Sequence, residues 1–192
     1  MALILRAADR SSTPWKNGGG LTREVAVHPR GSDLDNFDWR MSLAEVRRGG
    51  AFSTFAGVDR HMAVISGRLG ISIAGREPLS LSADSQPLTF PGEVPVYAEP
   101  RAEPVTDLNV MTRRGRFVAC LTRCSAAVAT ELRLEADTTL VLALAPLTLR
   151  APGLEAKLAA LDAARFSASA HTLTVQPAAA GGGFWLIDIR AA

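Results

Sequence analysis

A chain of 192 residues that is 47% hydrophobic and 21% charged has the composition of a folded globular protein, with enough mass for one domain or two small ones. Its net charge of +2 comes from scattered arginines, with Arg47-Arg48 and Arg113-Arg114 the only adjacent basic pairs, so the electrostatic footprint of a nucleic-acid binder is missing. The longest apolar run, Leu140 to Leu147, is too short to span a bilayer, and no membrane partner is expected.

Met1 to Arg10 carries Arg6, Asp9 and Arg10 and no apolar h-region, so no secretory signal is read there. Cys120 and Cys124 would lie about 13 Å apart on one strand, beyond disulfide reach. Two reduced thiols in a cytoplasmic protein are the expectation. Lys16 and Lys157 are the only lysines, a bias toward arginine that also suits carboxylate ligands.

Residues 3–7 read as a short strand. Pro14 and the run Asn17 to Gly20 then mark a turn. Three successive glycines invite a phosphate-loop reading, but the Lys-Ser/Thr ending is absent and no helical pattern follows. The glycines instead suit close approach of backbone to a ligand or to another strand. Leu21 to Val27 reads as a strand, and His28 to Asn36 as a polar loop. Phe37 to Val46 alternates strictly, with Phe37, Trp39, Met41, Leu43 and Glu45 on one face and Asp38, Arg40, Ser42, Ala44 and Val46 on the other. Two readings fit this strand. The simpler puts the aromatic face in the core and Arg40 and Ser42 in water; the other puts Arg40 and Ser42 inside a polar barrel cavity.

The centre of the chain is Ala51 to Gly67. A turn at Ala56 to Asp59 delivers Arg60 to the start of an apolar strand, His61 to Ser66, and Gly67 turns the chain into a second strand, Arg68 to Ala74. Alternate residues of such strands point inward, and a guanidinium held there needs a carboxylate of the protein or of a ligand. Short strands follow at Leu79 to Ala83, Val94 to Ala98, Asp107 to Val110 and Phe117 to Thr122. Many short strands punctuated by Gly and Pro indicate an all-β sandwich or barrel.

The second half reads as a degraded copy of the first. Asp59 to Ile71 aligns with Asp137 to Leu149, and a Phe follows each Asp after 31 and 29 residues, at Phe90 and Phe166. In this linear alignment Thr138 stands where Arg60 stood. Leu154 to Phe166 fits either a helix or strands. Gly181 to Gly183 introduces a terminal strand, Phe184 to Ile189. Two similar β-units are therefore expected: residues 1–123 with the candidate site, and residues 124–192 as a degenerate second unit.

The Arg60 stretch resembles the first metal motif of the cupin barrels, G-x5-H-x-H-x3,4-E-x6-G, with Arg60 and Gly67 in the place of its E-x6-G end. The histidine positions fall on Ser53 or Thr54 and on Phe55 or Ala56. The second motif is hinted at by Pro91 to Pro95, its histidine falling near Val96. Arginine cannot ligate a metal, but its fork suits a carboxylate. No metal and no cofactor are expected.

Four segments more specifically resemble the HutD family, also called HutD/Ves: P-W-K-N-G-G-G-L-T-R-E-V-A at 14–26, F-D-W-R-M-S-L-A-E-V at 37–46, F-S-T-F-A-G-V-D-R at 52–60 and D-L-N-V-M-T-R-R at 107–114. The resemblance spans about residues 1–123. It departs from the family pattern at Ala56, where proline usually precedes the glycine. It implies a cupin-type β-barrel, usually described as bicupin, and an association with bacterial histidine utilisation through a small pathway metabolite.

In such a barrel the interior would collect Asn17, Thr22, Arg40, Ser42, Arg60, Asp107 and Asn109. Arg60 would take a substrate carboxylate, or else pair with Asp107 or Glu45, and Arg40 would assist. Trp15 and Phe52 would form an apolar wall, with Ser53, Asn17 and Asn109 as neutral hydrogen-bonding groups. His61, next to Arg60, should point the opposite way. No residue is read as a catalytic nucleophile, because Ser and Cys lack a nearby base. The leading reading is a metal-independent binder of a carboxylate-bearing intermediate. The alternatives are a metal-independent isomerase or hydrolase using Glu24, Glu45 or Asp107 as base, and a protein that contacts a pathway regulator. Whether the chain forms a homodimer stays open.

Overall fold

The structure, a computed structural model, describes residues 2–126, 128–167, 171–179 and 182–192. β1 (Ala2–Leu5) precedes a single 3-10 turn at Ala7–Asp9. Then come β2 (Ser12–Pro14), β3 (Gly20–His28), β4 (Trp39–Val46), β5 (Gly50–Ala51), β6 (Val58–Ser66), β7 (Arg68–Ile73), β8 (Leu79–Ser82), β9 (Leu88–Pro91), β10 (Val96–Pro100) and β11 (Val105–Arg113). The remainder is β12 (Phe117–Ala126), β13 (Thr130–Leu134), β14 (Thr138–Ala143), β15 (Leu147–Ala151), β16 (Leu154–Leu158), β17 (Ala163–Ser167), β18 (His171–Pro177) and β19 (Gly182–Ala191). The all-β expectation holds. Leu154 to Phe166 is not a helix: it forms β16 and most of β17, joined by a tight turn in which Leu161 has φ 66°. Of the glycine run before the last strand, Gly181 lies outside the described residues.

The chain divides into two compact units, Arg10–Phe117 and Met1–Asp9 with Val118–Ala192. The first has a six-stranded sheet, β2-β3-β4-β11-β6-β9, and a four-stranded sheet, β5-β10-β7-β8. The second has a five-stranded sheet, β1-β17-β14-β19-β12, and a four-stranded sheet, β13-β18-β15-β16. The division differs at both ends from the 1–123 and 124–192 read along the sequence. β1 belongs with the C-terminal part because Ala2–Leu5 pairs antiparallel with Ala163–Phe166. Asp162 fixes that junction: its carboxylate accepts from Arg6 Nη1 at 2.9 Å, from the Ala7 amide at 2.7 Å and from the Ala159 amide at 3.0 Å. These contacts outweigh burial and hold its pKa below the ordinary carboxylate value.

Register also refines the internal repeat. Arg60 lies opposite Phe90 of β9 and Met111 of β11. In the other unit Thr139, not Thr138, lies opposite Phe166 of β17 and Asp188 of β19. Strand pairing rather than linear spacing sets equivalence, and one residue of slip moves a side chain to the other face.

In the unit Arg10–Phe117 the two sheets meet through one apolar cluster. The six-stranded sheet supplies Val46, Met62, Val64 and Phe90, and the four-stranded sheet supplies Leu69, Ile71, Ile73, Val96 and Ala98. The opposite face of the six-stranded sheet is buried as well: Trp39, Met41, Leu43, Leu108 and Val110 are at most 4% exposed. The strict alternation of β4 therefore does not separate core from water. It separates an apolar buried face from a polar buried one, and the reading that put Ser42 in water is corrected, since Ser42 is 3% exposed.

The glycine run serves strand contact. Gly18 takes φ +67°, and the Gly19 carbonyl accepts from the amides of Arg47 and Arg48 at 2.8 and 3.1 Å. A Cβ on Gly20 would sit 2.3 Å from the backbone oxygen of Glu45 and 3.2 Å from the Trp15 ring. Gly20→Ala must push β3 from β4, and chemical denaturation of that variant should show a loss of about 1–3 kcal/mol.

Candidate functional site

Strand register brings the polar residues of distant segments onto one inner face. Asn109 of β11 lies between Ser42 of β4 and Met62 of β6, and Asp107 lies between Ala44 and Val64. Met111 lies between Arg40 and Arg60, while Glu24 of β3 lies opposite Ser42 and Thr22 opposite Ala44. One face thus carries Arg60, Asn109, Asp107, Ser42, Arg40, Glu24 and Thr22, continuous with the apolar core.

Arg60 is the centre of this patch and is 7% exposed. Its Nη2 donates to Asn109 Oδ1 at 2.7 Å and its Nη1 to the Ser53 carbonyl at 3.3 Å. Its Nε is buried without a hydrogen-bond partner. Three rings surround the guanidinium, with Phe52 at 5.0 Å, Phe90 at 5.2 Å and Phe55 at 5.8 Å from Cζ. Such contacts favour a cation but do not neutralise it. Among the described residues no carboxylate pairs with Arg60 within 4.0 Å.

The nearest anion is reached through an amide. Asn109 Nδ2 donates to Asp107 Oδ1, and Asp107 Oδ2 is buried with no partner. Asp107 is 1% exposed. Burial raises its carboxyl to about 7, against the attraction of Arg60. Burial likewise lowers Arg60 to about 10, offset by Asp107 and reinforced by Arg40. Both shifts disfavour charge in the same enclosed space, and Arg60 remains cationic at neutral pH.

Arg40 is better provided for. Its Nε donates to Glu24 Oε2 at 2.9 Å and its Nη1 to Ser42 Oγ at 3.3 Å. Trp15 and Phe52 pack edge to face at 6.3 Å, and Trp15 Nε1 donates to Thr22 Oγ1 at 2.8 Å. Asn17 stands in an exposed loop, its Oδ1 accepting from the Gly19 amide at 2.9 Å, and closes the glycine turn rather than facing Arg60. Ser53 supplies its carbonyl, not its hydroxyl. Glu45 pairs with Arg47 and Arg23 on the other face of β4. His61 is on the other face of β6, its Nδ1 3.0 Å from Thr89 Oγ1, and burial lowers its pKa.

Phe55 and Phe90 are site residues that sequence reading passed over. Phe55 had a signal in its position five residues before Arg60, but Phe90 joins the site only by pairing across β6 and β9. A groove of about 540 Å³ opens to solvent on the outer face of the four-stranded sheet, where Ser72 and Tyr97 alternate with the core residues Ile71, Ile73, Val96 and Ala98; Phe52, Thr54 and Arg76 line it as well. Phe52 thus borders this groove and also lies 5.0 Å from the Arg60 guanidinium carbon.

The cupin motif would place a metal here, and the donor set does not fit one. Its carboxylate position holds Arg60, Val96 is an apolar residue of the core, and no group of three or more His, Cys, Asp or Glu side chains comes together among the described residues. No helix of the described residues is long and apolar enough to cross a membrane.

A family model, HutD, matches residues 7–183. A protein of Pseudomonas putida described as an uncharacterized 21.2 kDa protein in the hutC 3' region is 38% identical over 121 residues, 62% of each chain. Protein Ves of Cronobacter sakazakii is 37% identical over 103 residues, 53% of this chain and 55% of that protein. The matched segment thus spans less than two thirds of either relative. A solved structure of a conserved protein of unknown function from Pseudomonas aeruginosa PAO1 superposes with a TM-score of 0.91 at 28% identity, covering 99% of both chains. HutD from Pseudomonas fluorescens SBW25 superposes at 0.84 with 29% identity over the whole of both chains. More distant likenesses, YlbA of Escherichia coli at 0.75 and an oxalate decarboxylase at 0.69, each 10% identical, concern the fold alone and identify it as cupin-type.

Asp107 has a testable thermodynamic signature. Its folded pKa stands above its unfolded value of 3.8, so between about pH 4 and 7 the folded state holds more protons and loses stability as pH rises. Asp107→Asn lacks this term. The difference in melting temperature, wild type minus variant, should therefore fall from pH 4 to pH 7 and level off above; a constant difference would mean that Asp107 titrates normally.

Proposed function

The chain belongs to the HutD family, and from that membership and the geometry around Arg60 we propose that it is a metal-independent small-molecule-binding protein of bacterial histidine utilisation. Its ligand is a carboxylate-bearing intermediate, for which urocanate, formiminoglutamate and formylglutamate are the candidates, and its role is to buffer or sense that compound. With this role it works in the cytoplasm. The observation that carries the reading is a buried arginine with a free Nε, three flanking rings and only neutral hydrogen-bond acceptors. A ligand carboxylate would give it the counter-ion that the protein withholds, at charge-assisted hydrogen-bond strength. The hutC-region name of the Pseudomonas putida relative supports the metabolic setting.

A second reading rests on Asp107, whose carboxyl near 7 suits proton transfer to or from a bound acid. It makes the protein a metal-independent isomerase or hydrolase of the same compounds. A binder returns its ligand unchanged, whereas an enzyme converts it, so product analysis after prolonged incubation separates the two.

Thermal unfolding against the three acids tests the shared premise. A ligand at about 100 times its dissociation constant stabilises the folded state by roughly 2.7 kcal/mol. One of the acids should raise the melting temperature of the wild type and leave folded Arg60→Ala unchanged. Equal responses in both proteins would remove Arg60 from the site; no response to any acid would favour a protein partner instead.

A further inference from the structure

Binding an anion beside Arg60 raises a charge-balance question that the interior answers. The charged side chains on the inner face of the six-stranded sheet are Arg60 on β6, Asp107 and Arg113 on β11, Arg40 on β4 and Glu24 on β3. Arg113, at the end of β11, donates to the backbone carbonyls of Ala56, Asp35 and Phe37. Arg40 and Glu24 neutralise one another at 2.9 Å. β9 and the facing four-stranded sheet turn only apolar members of the core cluster toward this space, and His61 and Asp59 lie on the other face of β6. Arg60 and Asp107 are therefore the remaining opposite charges, and Asn109 holds them apart, accepting from one and donating to the other.

A carboxylate placed on Arg60 adds a negative charge to this enclosure. With Asp107 ionised, two carboxylates would share one guanidinium in a poorly solvated site, a costly arrangement. With Asp107 protonated the balance is restored, and its Oδ2, which lacks any partner, can carry the proton. Like-charged acids in one site resolve their repulsion in this way. Resting on the reading of Arg60 as the anion site, we infer that Asp107 is the proton partner of that site, so that the protein takes up its ligand as an anion together with one proton.

The consequence is an affinity set by pH although the ligand's own carboxylate stays ionised. The ligand is chemically unchanged; one O–H bond forms on Asp107 as a hydronium ion or buffer acid in solvent gives up its proton. With that carboxyl at about 7 in the free protein, binding should weaken about thirtyfold between pH 6 and pH 8.5. Arg60, at about 10, stays charged throughout.

Formate, the smallest carboxylate, is a suitable probe. Its affinity can be read from the methyl resonances of Met62 and Met111, which lie in register with Asn109 and Arg60. The wild type should show the thirtyfold weakening, and Asp107→Asn should bind formate with one affinity across the range. Sodium formate added to lightly buffered wild type at pH 7.5 should raise the pH, with about 0.8 proton taken up per formate bound. Proton uptake needs no variant, so it decides the matter even if Asp107→Asn fails to fold. Flat affinity and no proton uptake in the wild type, with binding lost in Arg60→Gln, would overturn the coupling and leave the anion site standing. Absence of any formate binding to the wild type at pH 6 would overturn both.

Discussion

The unit Arg10–Phe117 is arranged around a cation that the protein encloses without a direct counter-ion. Arg60 sits on the inner face of a six-stranded sheet, ringed by Phe52, Phe55 and Phe90 and hydrogen-bonded to an asparagine and a backbone carbonyl. A protein that needed only stability would place an apolar side chain here or bring a carboxylate into contact, because an unpaired buried charge is destabilising. The nearby Arg40–Glu24 pair shows that the same sheet can build a direct ion pair. The incomplete pairing of Arg60 is thus a local feature of one side chain, and local departures from good pairing concentrate where a protein meets a ligand.

Asn109 is what keeps the arrangement incomplete. Its amide has one donating and one accepting end, and both are used, toward Asp107 and Arg60 respectively. It separates the two charges while transmitting a hydrogen bond between them. Arg60 can then keep its charge and a free edge, while Asp107 rests near the midpoint of its titration. Direct contact between arginine and aspartate would depress the aspartate and occupy the fork. The contrast appears at Arg114, whose guanidinium is filled by Asp59 at 2.8 Å and by Glu93 at 2.7 Å; its hydrogen bonds to Glu93 hold that carboxyl well below the usual range.

The other unit likewise has a larger sheet and a four-stranded one, but without the Arg60 chemistry. Thr139, which lies opposite Phe166 and Asp188, donates its hydroxyl to Asp188 at 2.6 Å. Its core is otherwise apolar, with Leu, Val, Ala and Phe joined by Trp185, Ile187 and Ile189. The Thr139 hydroxyl spends its one donor on that carboxylate, so this position has no counterpart of the unused Arg60 Nε.

Much of this was legible in the residues. Gly and Pro punctuation with short apolar runs determined an all-β chain, the four segments at 14–26, 37–46, 52–60 and 107–114 determined its family, and the arginine at 60 marked the departure from metal chemistry. The linear order could not decide which polar residues meet. Alternation in β4 separates two faces but does not say that both are buried, because burial depends on what packs against each face. The asparagine between Arg60 and Asp107, the ring of Phe90, the placement of β1 with the C-terminal unit and the equivalence of Thr139 with Arg60 all follow from register. Register is a property of paired strands, settled by hydrogen bonds between segments up to about 160 residues apart, and only the folded chain contains it.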